Sequence, residues 1–300
     1  MHKQSYIPIS YYDIPPMPLD YPITAEVIED SVSKYGGKRI TTLQLEYPRY
    51  VHAEHLKHRM LSISASSSRA IPVNKLSDRA KFKFVEPVRW GKNQSGMQPS
   101  LENLTGEDLE IAKELWANLA QACTSTAEAL AKLGLHKQWA NRCLEWFSPI
   151  KVVMTATEYD NFFGLRDHHM AQEEIAHLTQ AIKNAMNESV PRELGNKEFH
   201  LPYIPLEMRD EYSNLDLCKI SSACCARTSY ARHADGSASS PDENLKLFSR
   251  LHSAPPDLPH ATPFEHQAKP DTRWFKFRDL NGNFREWIQF RKILQYNLKI

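Results

Sequence analysis

The 300-residue chain has almost no net charge, since 37 lysines and arginines face 36 aspartates and glutamates. So small an imbalance draws in neither a nucleic-acid polymer nor an anionic membrane, and any anion site has to be local. Cysteine is scarce and has no pairing pattern: Cys123, Cys143, Cys218, Cys224 and Cys225 are odd in number and contain no C-x-x-C. That excludes a disulfide framework and a thiolate zinc site, and it points to a reducing, cytoplasmic compartment. The opening MHKQSYIPISYYDIPPMP lacks an apolar core of signal-peptide length, and no later window approaches the ~20 apolar residues of a membrane span. Internal repeats are missing, and so is the G-x-S-x-G elbow of a serine hydrolase.

What is present is the balance of a soluble globular protein, 41% hydrophobic and 24% charged. RITTLQLEYPRYV, from residue 39, alternates apolar with polar side chains and predicts a half-buried strand. Residues 107–133 place Leu109, Ala112, Leu115, Trp116, Leu119, Cys123, Leu130 and Leu133 at helical spacing. Thr105 with Asp108 predicts its cap and Gly134 its end. TATEYDNFFGLRDHHMAQEEIAHLTQAIKNAM predicts a second helix, with Thr155 and Glu158 as a capping box. Cys224 and Cys225 sit among small residues, as packed strand cysteines do, and Asn281-Gly282 between aromatic-rich arms reads as a hairpin. The sum is an α+β chain of one large or two ordinary domains, with a long loop at about 84–104 and a connector at about 187–215.

Two clusters carry candidate chemistry. HAEHLKH spaces His52, His55 and His58 by threes, and EEIAH supplies Glu174-x-x-His177. A di-iron site needs a second such pair with further glutamates, and a zinc site needs H-E-x-x-H or cysteines, so these histidines read as surface and supporting groups and no metal is assigned. The stretch EHLKHRMLSISASSSRAIPV, residues 54–73, joins Lys57, His58 and Arg59 to a serine run closed by Arg69. Serine hydroxyls, turn amides and a two-pronged guanidinium are the groups that hold a phosphate, although a solvated basic turn has the same composition.

Arg59, Ser67 and Arg69 stand at the spacing Arg-x7-Ser-x-Arg with His58 before them. NFFGLRDHHMAQEEI puts Asn161, Arg166, Ala171, Gln172, Glu174 and Ile175 in one pattern, and CCARTSY and HATPFEH follow later. These motifs resemble the flavin-dependent, ThyX-type thymidylate synthases. Their order differs: here the Ala-Arg-x-Ser-Tyr and Pro-x-Glu-His motifs come last, as in a circular permutation, so residues near 267–280 are expected to meet the strand 39–50. The resemblance implies that 1–300 form a single ThyX-like catalytic domain, with a central antiparallel or mixed sheet flanked by long helices and the stretch at about 84–104 as a loop insertion. It implies FAD contacts at His58, Arg59, Asn161, Ser229, His260, Thr262 and Glu265. For dUMP it implies Glu54, Lys57, Ser67, Ser68, Arg69, Arg142 and Arg166, with Arg166 at the uracil ring as the catalytic arginine.

The implied reaction carries a one-carbon unit from methylenetetrahydrofolate to C5 of dUMP, with reduction through FAD recharged by NADPH, in a homotetramer with shared active sites. Lys57, Glu54, Ala65 and Thr157 depart from the family's arginine, glutamine, glutamate and arginine at those places. The departures leave two alternatives to dTMP formation: hydroxymethylation or another C5 modification of a deoxypyrimidine monophosphate, and an inactive nucleotide-binding homologue.

Overall fold

The computed structural model describes residues 17, 21–82, 84–97, 100–229, 239–253, 262–272 and 278–298. In chain order the strands are β1 (Thr24–Ser33), β2 (Ile40–Pro48), β3 (Ser62–Ala65), β4 (Pro149–Ala156), β5 (Arg192–Leu194), β6 (Ala268–Pro270) and β7 (Trp287–Gln289). The helices are α1 (His52–His55), α2 (Val73–Phe82), α3 (Gly106–Lys132), α4 (Lys137–Ala140), α5 (Asp160–Arg166), α6 (Glu173–Glu188), α7 (Asn214–Ala226), α8 (Pro241–His252) and α9 (Phe290–Gln295).

Five strands form a sheet in the order β3-β4-β2-β1-β5. The β1–β2, β2–β4 and β3–β4 pairs are antiparallel and β1–β5 is parallel, giving a mixed sheet, one of the two forms that the resemblance implies. β2 lies at its centre. Leu43, Leu45 and Tyr47 stand opposite Met154, Val152 and Ile150, and together they pack on Phe162 of α5 and on Leu178 and Ile182 of α6. Burying each such side chain contributes about 1.5–3 kcal/mol. The other face of β2 is covered too, by the segment through His200 and by the carboxyl-terminal elements, so the strand is buried on both sides rather than one.

Long apolar patterns turned out differently in the two predicted helices. The second is not continuous: Thr155 lies in β4, facing Thr42 of β2, and residues after Arg166 turn before α6 begins at Glu173. The capping box predicted at Thr155 is therefore replaced by strand pairing, and the break is fixed by Lys183 Nζ, which donates to the buried Asp167 at 2.5 Å. α3 forms where predicted, and Gly134 (φ 84°) ends it, but Thr105 makes no side-chain cap bond. α3 packs on α2 through Ala120, Thr124 and Ala127, with Trp116 and Cys123 beside them, while Leu115, Leu119 and Leu133 of the expected stripe remain exposed, as does Ile111 beside them.

A second core joins α7, α8 and α9 through Leu217, Phe248, Phe264 and Phe290. Cys224 and Cys225 belong to α7, a helix and not the expected strand, because Ser213 caps it by accepting from the Asp216 amide and small side chains allow close helical packing. The predicted Asn281-Gly282 hairpin is instead a longer connection between β6 and β7; part of its aromatic arm, 273–277, lies outside the described residues. Ala268 shares a core with Ile40, Phe284 and Trp287, and the Trp287 indole donates to the Lys38 carbonyl at 2.8 Å. Residue 268 thus meets the start of the strand 39–50, as expected. The loop 84–104 runs across the start of α6, where Arg89 pairs with Glu173 and the Val88 amide donates to Glu174.

Candidate active site

β2 turns through α1 into a pocket of about 580 Å³ lined by Lys57, His58, Arg59, Asn161, Phe162 and Arg285, among others. His58 is buried, edge-on to the Phe162 ring at 4.9 Å. Arg166, at the end of α5, donates from Nε to His58 Nε2 at 3.0 Å and from Nη1 to Glu54 Oε2 at 2.9 Å. Burial first, and Arg166 second, hold the His58 pKa below its ordinary value, against the pull of Glu54. A neutral ring is what this geometry requires, since Nε2 accepts and the proton then belongs on Nδ1. The guanidinium of Arg166 is thereby oriented by two partners from one turn.

His52 and His55 converge on Tyr47 and not on His58. The Tyr47 hydroxyl contacts His52 Nδ1 at 2.8 Å and His55 Nδ1 at 2.7 Å, so one ring accepts its proton and the other donates to it. His55 Nε2 faces the Met154 sulfur at 3.2 Å. Burial pushes His52 down to about 4 and His55 down to about 3. These are neutral supports beneath the pocket.

β3 delivers the serine turn. The Asn141 side-chain amide donates to the carbonyls of Ser68 (2.7 Å) and Ile71 (2.9 Å), which fixes its shape. Ser68 Oγ donates to Glu145 Oε1 at 2.5 Å, Arg142 Nη1 donates to the same oxygen at 3.0 Å, and Arg49 Nη1 lies 4.0 Å from it. Arg49 also donates to the Ser66 carbonyl at 3.1 Å, and its buried Nε has no partner among the described residues. Burial, with Arg142 beside it, lowers the Arg49 pKa against the pull of Glu145. Arg69 is exposed, with Nε 3.4 Å from Ser67 Oγ. Two arginines and a serine here surround a carboxylate of the chain itself.

The Pro-x-Glu-His motif docks on the opposite face of the sheet from α6. His266 Nε2 contacts Ser64 Oγ at 2.8 Å and Nδ1 contacts Thr155 at 2.8 Å; Thr155 continues to Thr42 (2.6 Å), and Thr42 to His200 (2.7 Å). Thr262 closes the other end on Ser64 at 2.9 Å. Burial pushes His266 down to about 3. Glu265 is tied to Arg291. His260 and the side chain of Ser229 lie outside the described residues.

A sequence profile described as thymidylate synthase complementing protein matches residues 39–192, which hold β2, the serine turn, Arg142 and the Asn161–Arg166 helix. The chain belongs to this family. Family membership places the chain among thymidylate-synthase-type proteins. Among solved structures it is similar to the UMP/dUMP methylase PolB from Streptomyces cacaoi bound with 5-Br UMP, at 15% identity and a TM-score of 0.44, over 58% of this chain and 92% of that one. The same methylase bound with 5-Br dUMP matches at 15% identity and a TM-score of 0.43, over 56% and 91%. No protein of curated function matches the chain. Among the described residues no helix is long and apolar enough to cross a membrane.

Of the residues the sequence singles out, His58, Arg59, Asn161 and Lys57 line one pocket, and Glu54 with Arg166 adjoin it through His58. Ser67, Ser68, Arg69 and Arg142 form the second cluster, whereas Thr262 and Glu265 face Ser64 and Arg291. Three residues escaped the sequence reading. Glu145 stands three positions after Arg142, a spacing at which helical charges pair, so its signal was visible. Arg49 and Arg285 carry none, because only the fold brings them to these places.

Proposed function

We propose that the chain is a flavin-dependent thymidylate synthase that converts dUMP to dTMP with methylenetetrahydrofolate as one-carbon donor and NADPH as reductant. The observation that carries the reading is Arg166, whose guanidinium is held by Glu54 and His58 beside the pocket. A cation so placed stabilises the enolate-like charge that develops on a pyrimidine carbonyl as C5 becomes nucleophilic. Ser67, Ser68, Arg69 and Arg142 hold the phosphate end, which fixes the ring relative to Arg166.

The pocket fits a flavin nucleotide: Phe162 offers an apolar surface, Asn161 an amide, and Lys57 and Arg59 cations that make no ion pair among the described residues. When bound, reduced FAD would supply the hydride, and NADPH, oxidised to NADP+, would return the flavin to its reduced form. The chain's own nucleophiles are unsuited to covalent catalysis. Burial raises the pKa of all five cysteines, Cys224 to about 11, so little thiolate exists near neutral pH. The Ser64–His266 contact is no better, because that imidazole titrates at about 3 and is too weak a base to take a hydroxyl proton.

The family resemblance also implies a homotetramer, and the uncovered stripe Ile111, Leu115 and Leu119 on α3 supports a second copy as its cover. Sedimentation of the protein as a monomer would count against that assembly. For the reaction itself, purified protein incubated with FAD and desalted is expected to remain yellow and to bind dUMP; a colourless protein that cannot be reconstituted would refute the flavin reading.

A further inference from the structure

We propose that Arg285, contributed by the carboxyl-terminal segment outside the family match, binds the diphosphate bridge of the dinucleotide that enters the pocket. The proposal rests on the reading of that pocket as a dinucleotide site. Arg285 lines it together with Lys57 and Arg59, and none of the three has a carboxylate partner among the described residues. Among the described residues the Arg285 guanidinium meets only the Phe284 carbonyl, at 3.3 Å, and the Met60 sulfur, at 3.9 Å. Of the two carboxylates in the lining, Glu158 is engaged by Lys38 at 3.1 Å, which leaves Asp160. His58 is held neutral. Three cations against one free carboxylate leave two positive charges, the complement of a diphosphate diester.

The segment that presents Arg285 is fixed. The Arg285 backbone amide donates to Thr157 Oγ1 at 2.8 Å, and the Asn283 side-chain Nδ2 donates to the Met60 carbonyl at 3.2 Å and to Ser62 Oγ at 3.0 Å. Phe284 is fully buried. Glu286, the next residue, sits at φ 66°, a left-handed conformation that costs free energy for any residue with a side chain. Its carboxylate accepts from the Lys38 amide at 2.7 Å, which holds it there. Backbone this constrained aims an exposed arginine at one place, and a planar fork aimed at a phosphate needs little further ordering.

FAD and NADPH both carry a diphosphate bridge, while riboflavin has an isoalloxazine ring and no phosphate, so three titrations separate the sources. Dissociation constants of the whole protein are measured by flavin fluorescence quenching and by NADPH fluorescence, for wild type, Arg285→Ala and Arg285→Lys. The expected result is a roughly 10- to 100-fold weaker binding of FAD, or of NADPH if that is the dinucleotide held, in Arg285→Ala. Arg285→Lys should fall between, and riboflavin affinity should be unchanged. The proposal is overturned if neither dinucleotide weakens, or if riboflavin weakens equally, which would show a packing role. Wild type that binds no flavin and no NADPH would defeat the functional reading itself; wild type that binds FAD with an unaffected Arg285→Ala would defeat only this inference.

Discussion

Two regions of the molecule gather anion-seeking side chains, and they are in opposite states. In the pocket, Lys57, Arg59 and Arg285 make no ion pair among the described residues, although Glu158, paired with Lys38, and Asp160 share the lining. In the serine turn, Ser68, Arg142 and Arg49 surround Glu145. Both are positively charged surfaces by sequence, yet only in the serine turn do the arginines already hold a carboxylate of the chain. The serine turn is pre-shaped by Asn141 and already satisfied by an internal carboxylate, so a nucleotide phosphate entering it has to displace Glu145 or share its partners. Arg166 is the link to the pocket, because it bonds His58 in the lining and Glu54 of α1.

The strongest way to test that link is to cut it. Arg166→Ala should lower turnover by roughly 100- to 1,000-fold, the cost of removing one preorganised charge-stabilising donor. Flavin and dUMP binding should change far less. Steady-state rates beside binding titrations check this, and a variant that lost binding and turnover together would show Arg166 to be a ligand anchor instead.

Glu145→Gln should erase the contrast between the two regions by freeing the arginines of the turn. A carboxylate about 4 Å from a phosphate in a water-like dielectric costs ~1–2 kcal/mol, so dUMP should bind about tenfold more tightly in the variant, with flavin affinity unaltered. Isothermal titration with dUMP and with deoxyuridine reads the effect; equal gains for both would place it outside the phosphate contact.

Acid should act on the frame shared by both regions. His55 and His266 are buried with pKa values depressed from 6.5 to about 3, so the unfolded chain binds more protons than the folded one below pH 6.5. The stability they contribute is complete above about pH 6.5 and is lost as pH falls toward 3. Denaturant midpoints should decline over that window, and His266→Gln should flatten the decline; a midpoint independent of pH would contradict the buried, neutral assignment.

Much of this arrangement was legible before the fold was known, and the failures have physical reasons. β2, α3 and the Asn161–Arg166 helix followed from local pattern, and Glu54, His58 and Arg59 share one short stretch. Whether a stripe is covered is a tertiary fact, which is why Leu115 and Leu119 are exposed on α3 although their spacing matches a buried face. The break after Arg166 needed the strand partner of Thr155 and the Lys183–Asp167 pair, both distant or non-periodic. Cys224 and Cys225 were misplaced because small residues suit a tightly packed helix as well as a strand. Arg285 reaches the pocket from a turn whose fixing contacts, at Met60, Ser62 and Thr157, are more than a hundred residues away.

The central claim is a reaction, and its product is the most direct witness. Wild-type protein incubated with dUMP, methylenetetrahydrofolate, FAD and NADPH, and analysed by mass spectrometry of the nucleotide, should yield dTMP, with no product when FAD is omitted from flavin-stripped protein. Recovery of unaltered dUMP from the complete mixture would contradict the account, and a hydroxymethylated nucleotide would keep the site but replace the product.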